Sequence, residues 1–284
     1  MKPPYSIPLI FFLAIAALPA QAPPDSLWRR WTDAGLPDTA RLNALHQLAS
    51  RLAKQNPDSA RMLAGQQLAF AREKGWLAAQ GQALTTLGLS YRLQSDFPQA
   101  IRHYEQGIAV LEKSGDRGAL ATAYAKLGDV YRVQSNFPKA IDCIHKSLVL
   151  AEAAGDKKKA ADAYVGIATI YYDDPGNIEK TLEYLGKALP LYESLNDPEG
   201  MALVYGNISA VYLARDSFDL ALSNNEKCLA IQEQLGDRYG TATSLLNRAL
   251  MLAGVDRLRA AEADFDRSLA IFRSMGDQEG MADV

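Results

Sequence analysis

Residues Leu87–Asp116 and Leu127–Asp156 are two copies of one stretch set 40 residues apart, identical at 13 of 30 aligned positions. Self-similarity at such a period marks a supersecondary unit that stacks on copies of itself, each burying the face its neighbour leaves open. The period runs on in both directions. Gly75-Trp76, Gly115-Asp116, Gly155-Asp156, Asn196-Asp197, Gly236-Asp237 and Gly276-Asp277 follow one another at intervals of 40, 40, 41, 40 and 40 residues.

Glycine or asparagine just past a helix end supplies a left-handed terminal residue, and an aspartate next to it can cap the following helix. A second break falls inside each unit. Ser95-Asp96-Phe97-Pro98 and Ser135-Asn136-Phe137-Pro138 place a capping residue shortly before a proline, which a first helical turn tolerates. Asp216-Ser217 and Asp256 are expected to cap the corresponding later helices without a proline. Each unit therefore reads as two helices joined by a tight turn.

The apolar spacing agrees. Leu84, Leu87, Gly88 and Tyr91 share one helical face, and Ala100, Tyr104, Gly107, Ile108 and Leu111 share another. Small residues recur in register. Gly88, Gly128, Ala168, Ser209 and Ala249 hold one position; Ala100, Ala140, Thr181, Ala221 and Ala261 a second; Gly107, Ser147, Ala188, Cys228 and Ser268 a third. Small side chains at fixed sites let helix backbones approach closely while larger neighbours fill the gaps. One unit is irregular. Asp173-Asp174-Pro175-Gly176-Asn177 forms a longer turn, and Pro190 inside the next helix predicts a kink.

The N-terminus reads as an export signal over residues 1–22. Lys2 is followed by the uncharged apolar run Ile7 to Leu18 and by Ala20-Gln21-Ala22, a small-x-small cleavage pattern. That run is shorter than the roughly 20 residues a bilayer span needs, which makes a permanent anchor the weaker reading. Residues 23–37 form a Pro-rich lead-in, in which Trp28 and Trp31 are expected to cover the open end of the first helices. Residues 38–276 hold about six helix pairs. Residues 277–284 repeat the start of an earlier unit (Glu279-Gly280-Met281-Ala282 matches Glu199-Gly200-Met201-Ala202), the beginning of a truncated seventh copy. The expectation is that the 284 residues are part of a longer protein.

The sequence offers no chemistry. A net charge of −3 gives no basic field, so nucleic acid is not an expected partner. His46, His103 and His145 lie in separate units with no companion at triad or metal spacing. Cys143 and Cys228 sit two repeats apart, too far for a bond between stacked units, and read as small buried thiols. No catalytic residue, cofactor or metal is expected.

Leu87, Gly88, Tyr91, Ala100, Tyr104 and Gly107 carry a pattern that resembles the tetratricopeptide repeat, in a 40-residue variant of a unit commonly about 34 long. Later copies depart from it at Asn225, Arg248 and Leu252. The resemblance implies an all-α fold, a right-handed superhelical solenoid of antiparallel helix pairs. It also implies a concave groove lined by first helices that binds a protein or peptide. Matching positions give Gln82, Thr85, Leu89, Arg92, Thr122, Asp129, Arg132, Thr169, Tyr172, Leu203, Leu213, Leu246 and Leu250 as groove residues. The Lys and Asn with which some members clamp a terminal carboxylate are missing. The groove is polar early and apolar late, and its apolar half would either pack on further repeats or bind a helix or a second copy. Ser26-Leu27-Trp28, Leu36 to Leu42, Asn56 to Ala60 and Ala71 to Gly75 are similar to the opening of Bacteroidetes-type exported sensors. In those proteins a membrane helix and an adenylate/guanylate cyclase or histidine kinase domain follow. That likeness implies an extracytoplasmic sensory module, tethered to a membrane only through a C-terminal segment not in this sequence. The alternative is a free-standing periplasmic adaptor or assembly factor.

Overall fold

At Gly115, Gly155, Gly236 and Gly276 a left-handed glycine stops one helix and the aspartate after it starts the next, whereas Gly75 is followed by Trp76, which makes no side-chain cap bond. The computed structural model describes residues 26–174 and 177–284. The export segment at 1–22, the first three residues of the lead-in and the pair Pro175-Gly176 lie outside the described residues. Fourteen helices lie within them: α1 (Ser26–Thr32), α2 (Asp38–Gln55), α3 (Pro57–Glu73), α4 (Leu77–Leu93), α5 (Phe97–Ser114), α6 (Arg117–Val133) and α7 (Phe137–Ala153), followed by α8 (Lys157–Asp173), α9 (Ile178–Leu195), α10 (Pro198–Leu213), α11 (Phe218–Leu235), α12 (Arg238–Gly254), α13 (Leu258–Met275) and α14 (Gln278–Asp283).

Gly115, Gly236 and Gly276 take φ of 73°, 67° and 71°, and Asn196 takes 49° in the equivalent place. The next residue caps as expected: Asp116 accepts from the Ala119 amide at 2.9 Å, and Asp156, Asp197 and Asp237 each accept from an amide three residues on at 3.0 Å. The breaks inside the units differ from expectation in their second half. Ser95, Ser135, Asp216 and Asp256 all adopt left-handed φ, between 54° and 60°. Asp216 and Asp256 therefore end one helix rather than cap the next. They stand one residue too early to reach a first-turn amide, and Ser217 and Arg257 lead into α11 and α13 with no side-chain cap bond. Asp96 and Asn136, one residue after their left-handed serines, do cap.

Consecutive helices pair antiparallel: α2 with α3, α4 with α5, and so on to α12 with α13. Each first helix also touches the next first helix (α2 with α4, α4 with α6, α6 with α8, α8 with α10), with no comparable contact between successive second helices. The first helices are thus crowded on an inner, concave side and the second helices spread on an outer one. The pairs are sealed by the small residues in register. A Cβ on Gly88 would stand 2.9 Å from the Tyr104 ring, and one on Gly128 would stand 2.5 Å from Ile144, so the large side chain of one helix occupies the space a small one leaves on its partner. Leu27, Trp28 and Trp31 close the N-terminal end by packing on Leu45, Leu48, Ala49 and Leu63.

The departures from the repeat pattern are met in different ways. Arg248, standing where Leu87 and Leu127 stand in earlier units, reaches Asp264 on α13 through two hydrogen bonds of 2.6 and 2.7 Å. Asn225, in the place of Tyr104, is buried with its side-chain oxygen unpartnered. α9 runs as one helix through Pro190, which faces solvent together with Gly186, so the missing amide falls on the outer flank. Cys143 and Cys228 are buried free thiols; burial pushes the Cys143 thiol up to about 11.

Candidate functional site

All thirteen groove residues named from the sequence lie on the first helices. Gln82, Thr85, Leu89 and Arg92 are on α4; Thr122, Asp129 and Arg132 on α6; Thr169 and Tyr172 on α8; Leu203 and Leu213 on α10; Leu246 and Leu250 on α12. They divide into two chemically distinct stretches.

The first is a continuous chain of charge across three helices. Arg92 Nη1 meets Asp129 at 3.1 Å, Arg132 Nη2 donates to Asp129 at 3.2 Å, and Arg132 Nη1 donates to Asp173 at 2.6 Å. Two guanidiniums and two carboxylates alternate along the line. Burial pulls the Arg132 pKa down, but Asp173 and Asp129 outweigh it and hold it above its usual value. The sequence reading treated Arg92, Asp129 and Arg132 as groove groups free to meet a ligand; the structure binds each to its neighbours. Asp173, read as part of a turn, is the last residue of α8 and the terminus of the chain. Nothing in its local sequence signals that role, because its partner lies 41 residues away. The threonines are similarly occupied. Thr85, Thr122 and Thr169 each donate to a carbonyl one turn back on their own helix, at 3.0, 3.0 and 2.9 Å.

The second stretch is apolar. Tyr172, Leu203 and Leu250 are 44%, 51% and 51% exposed, and Leu213 and Leu246 are half-buried. Exposure on this scale sets these leucines apart from the three small-residue positions held in register, which are buried in every unit.

The outer side carries a regular feature the sequence reading missed. Between α5 and α7 a cleft of about 400 Å³ has Glu112 on one wall, Tyr124 and Tyr131 on its floor, and Lys139 and Lys146 on the other wall. Tyr124 donates to Glu112 at 3.1 Å while Lys146 lies 5.6 Å over its ring. One unit later Tyr164 donates to Glu152 at 2.8 Å, in a cleft of about 370 Å³ that Lys187 also lines. The acid, the phenol and the cation satisfy one another, so these clefts act as braces between outer helices. The signal was present as tyrosines and lysines each seven residues apart on successive helices. Among the described residues no three His, Cys, Asp or Glu side chains gather as a metal site requires, and no helix is long and apolar enough to cross a membrane.

Comparison with known proteins places this geometry. The family profile described as tetratricopeptide repeat matches residues 118–194 and 200–274, more than half of the chain. No curated protein matches. Among solved structures, BtubC (BKLC) from P. vanneervenii is similar at 20% identity with a TM-score of 0.64, over 89% of this chain and 93% of that one. Apo RapI has a TM-score of 0.68 at 15% identity, over 89% and 71% of the two chains. The Rap conjugation gene regulator of plasmid pLS20, solved with the Phr peptide, has a TM-score of 0.61 at 16% identity, over 75% of this chain and 58% of its own. At these identities the likeness is one of fold.

Proposed function

The chain belongs to the tetratricopeptide repeat family, and from that premise we propose that it is a non-catalytic scaffold holding a peptide or protein segment along the inner faces of α4 to α12. The observation that carries this reading is the half-exposure of Leu203 and Leu250 on first helices, apolar surface that the array's own packing leaves wet. A similar fold holds the Phr peptide in the plasmid regulator, which lends the reading support. The chain is further read as an exported protein, with residues 1–22 removed on translocation. It would act as the sensory part of a signalling protein whose adenylate/guanylate cyclase or histidine kinase portion is encoded downstream.

The groove is tested by immobilising the full chain and offering a library of acetylated, amidated eight-residue synthetic peptides. Wild type should retain a defined subset. Leu203→Asp with Leu250→Asp should lower affinity for that subset at least tenfold, since each leucine buried by a ligand contributes about 1.5–3 kcal/mol. The thermal midpoint should hold, because both side chains are already half in water. Unchanged retention by the double variant would remove the apolar face from the reading. Export is tested separately by expression in a bacterial host. The expected product lacks residues 1–22 and fractionates with the periplasm, whereas an uncut chain in the cytosol would overturn that part.

A further inference from the structure

Beneath the charged half of the groove lie two donors without acceptors. Tyr104 comes from the outer helix α5, its ring lodged against Gly88 of α4, and is 0% exposed. Its phenol oxygen has no hydrogen-bond partner, and neither has the buried Nε of Arg92. The two lie near each other, for the Tyr104 ring packs on Gly88 and Arg92 stands one turn further along the same helix. Burial holds the phenol's pKa well above its usual value, so it is a neutral O–H donor. Satisfying most buried polar groups is the rule, and two donors left open near one another can receive an acceptor from outside the chain.

The chemistry of that something follows from the charge count. Arg92, Asp129, Arg132 and Asp173 already sum to zero, so an entering carboxylate or ammonium would leave an uncompensated charge in a half-buried site. A neutral acceptor upsets nothing and answers both donors. We propose that this point receives an uncharged carbonyl, from the backbone or from an Asn or Gln side chain, of a peptide lying in the groove. It enters where Arg92 and Asp129, 25% and 31% exposed, meet the surface. The inference rests on the groove reading above and adds to it the class of group recognised. It makes the polar half a reader of peptide carbonyls rather than of a terminal carboxylate.

The same peptide library decides the matter, using the peptides that wild type retains. Tyr104→Phe keeps the ring that packs on Gly88 and removes only the hydroxyl. Its thermal midpoint should equal or exceed that of wild type, since an unpartnered group is gone, while affinity for the retained peptides falls about three- to tenfold. Arg92→Lys keeps a cation opposite Asp129 but has no Nε–H, and should weaken binding to a similar degree. Affinity should change little between roughly 0.05 and 0.5 M NaCl, because no net ion pair forms. A lowered midpoint with affinity unchanged in Tyr104→Phe would show that the phenol serves only a buried water, and would overturn the proposal. Tighter binding of the same peptides with free carboxyl ends would overturn it in favour of an anion site. If wild type retains no peptide at all, the groove reading falls and takes this one with it. Retention that is indifferent to both variants sinks this inference alone.

Discussion

Asp264→Ala should destabilise the last full helix pair by about 3 kcal/mol, read as a lowered urea midpoint for the C-terminal part of the array. The carboxylate is 7% exposed and takes both hydrogen bonds of the Arg248 fork. Its removal strands a guanidinium inside the α12–α13 interface, and breaking one partner of a buried pair typically costs about 3–5 kcal/mol. The lower end applies because 22% of the Arg248 side chain already touches solvent and the head can turn outward. The double change Arg248→Leu with Asp264→Leu should recover most of the loss, since it restores the apolar chemistry that Leu87 and Leu127 supply in earlier units. A loss under about 1 kcal/mol for Asp264→Ala would show that the pair behaves as an exposed one.

Tyr192→Ala should cost about 3–5 kcal/mol and also change the shape of unfolding. The ring is fully buried at the junction of α8, α9 and α10. It fills the space that Gly200 leaves, lies 4.7 Å beneath the Lys158 ammonium, and donates its O–H to Asp162 at 2.7 Å. In a stacked array each unit is coupled only to its neighbours, so a hole at one junction uncouples the two sides. Denaturation followed by tyrosine fluorescence and by circular dichroism should separate into two transitions, where wild type gives one. Tyr192→Phe, which loses only the bond to Asp162, should cost about 1–2 kcal/mol and keep a single transition. A single transition for Tyr192→Ala would mean that coupling across this junction does not depend on the ring.

Much of this architecture was legible because it is local and repeated. Gly115 specifies a stop through its backbone and Asp116 a start through its side chain, and six related junctions 40 or 41 residues apart leave little freedom. The packing of Gly88 on Tyr104 was equally readable from small and large residues held in register. The errors came where one residue's shift changed its job. Asp216 and Asp256 look like caps in a one-dimensional string, yet they occupy the left-handed position that Ser95 and Ser135 fill in earlier units. Placement on the first helices could be read by matching positions, but pairing among those residues could not. Arg92, Asp129, Arg132 and Asp173 find one another across helices, and the contact between Arg132 and Asp173 spans a whole unit. Tyr104 was legible as a packing ring; that its hydroxyl lacks a partner depends on every neighbour at once.

The identical junctions have a consequence for how such a chain changes over generations. The unit from Gly115-Asp116 to Gly155-Asp156 begins and ends on the same left-handed residue and the same capping carboxylate. A recombination event that gains or loses one 40-residue segment therefore joins a helix end to a helix start it already knows, with both caps intact. The reading frame of the fold survives. What alters is the length of the inner face, one rung at a time, and with it the size of the segment it can grip. Divergence in a lineage of such proteins should thus run through copy number as readily as through point substitution.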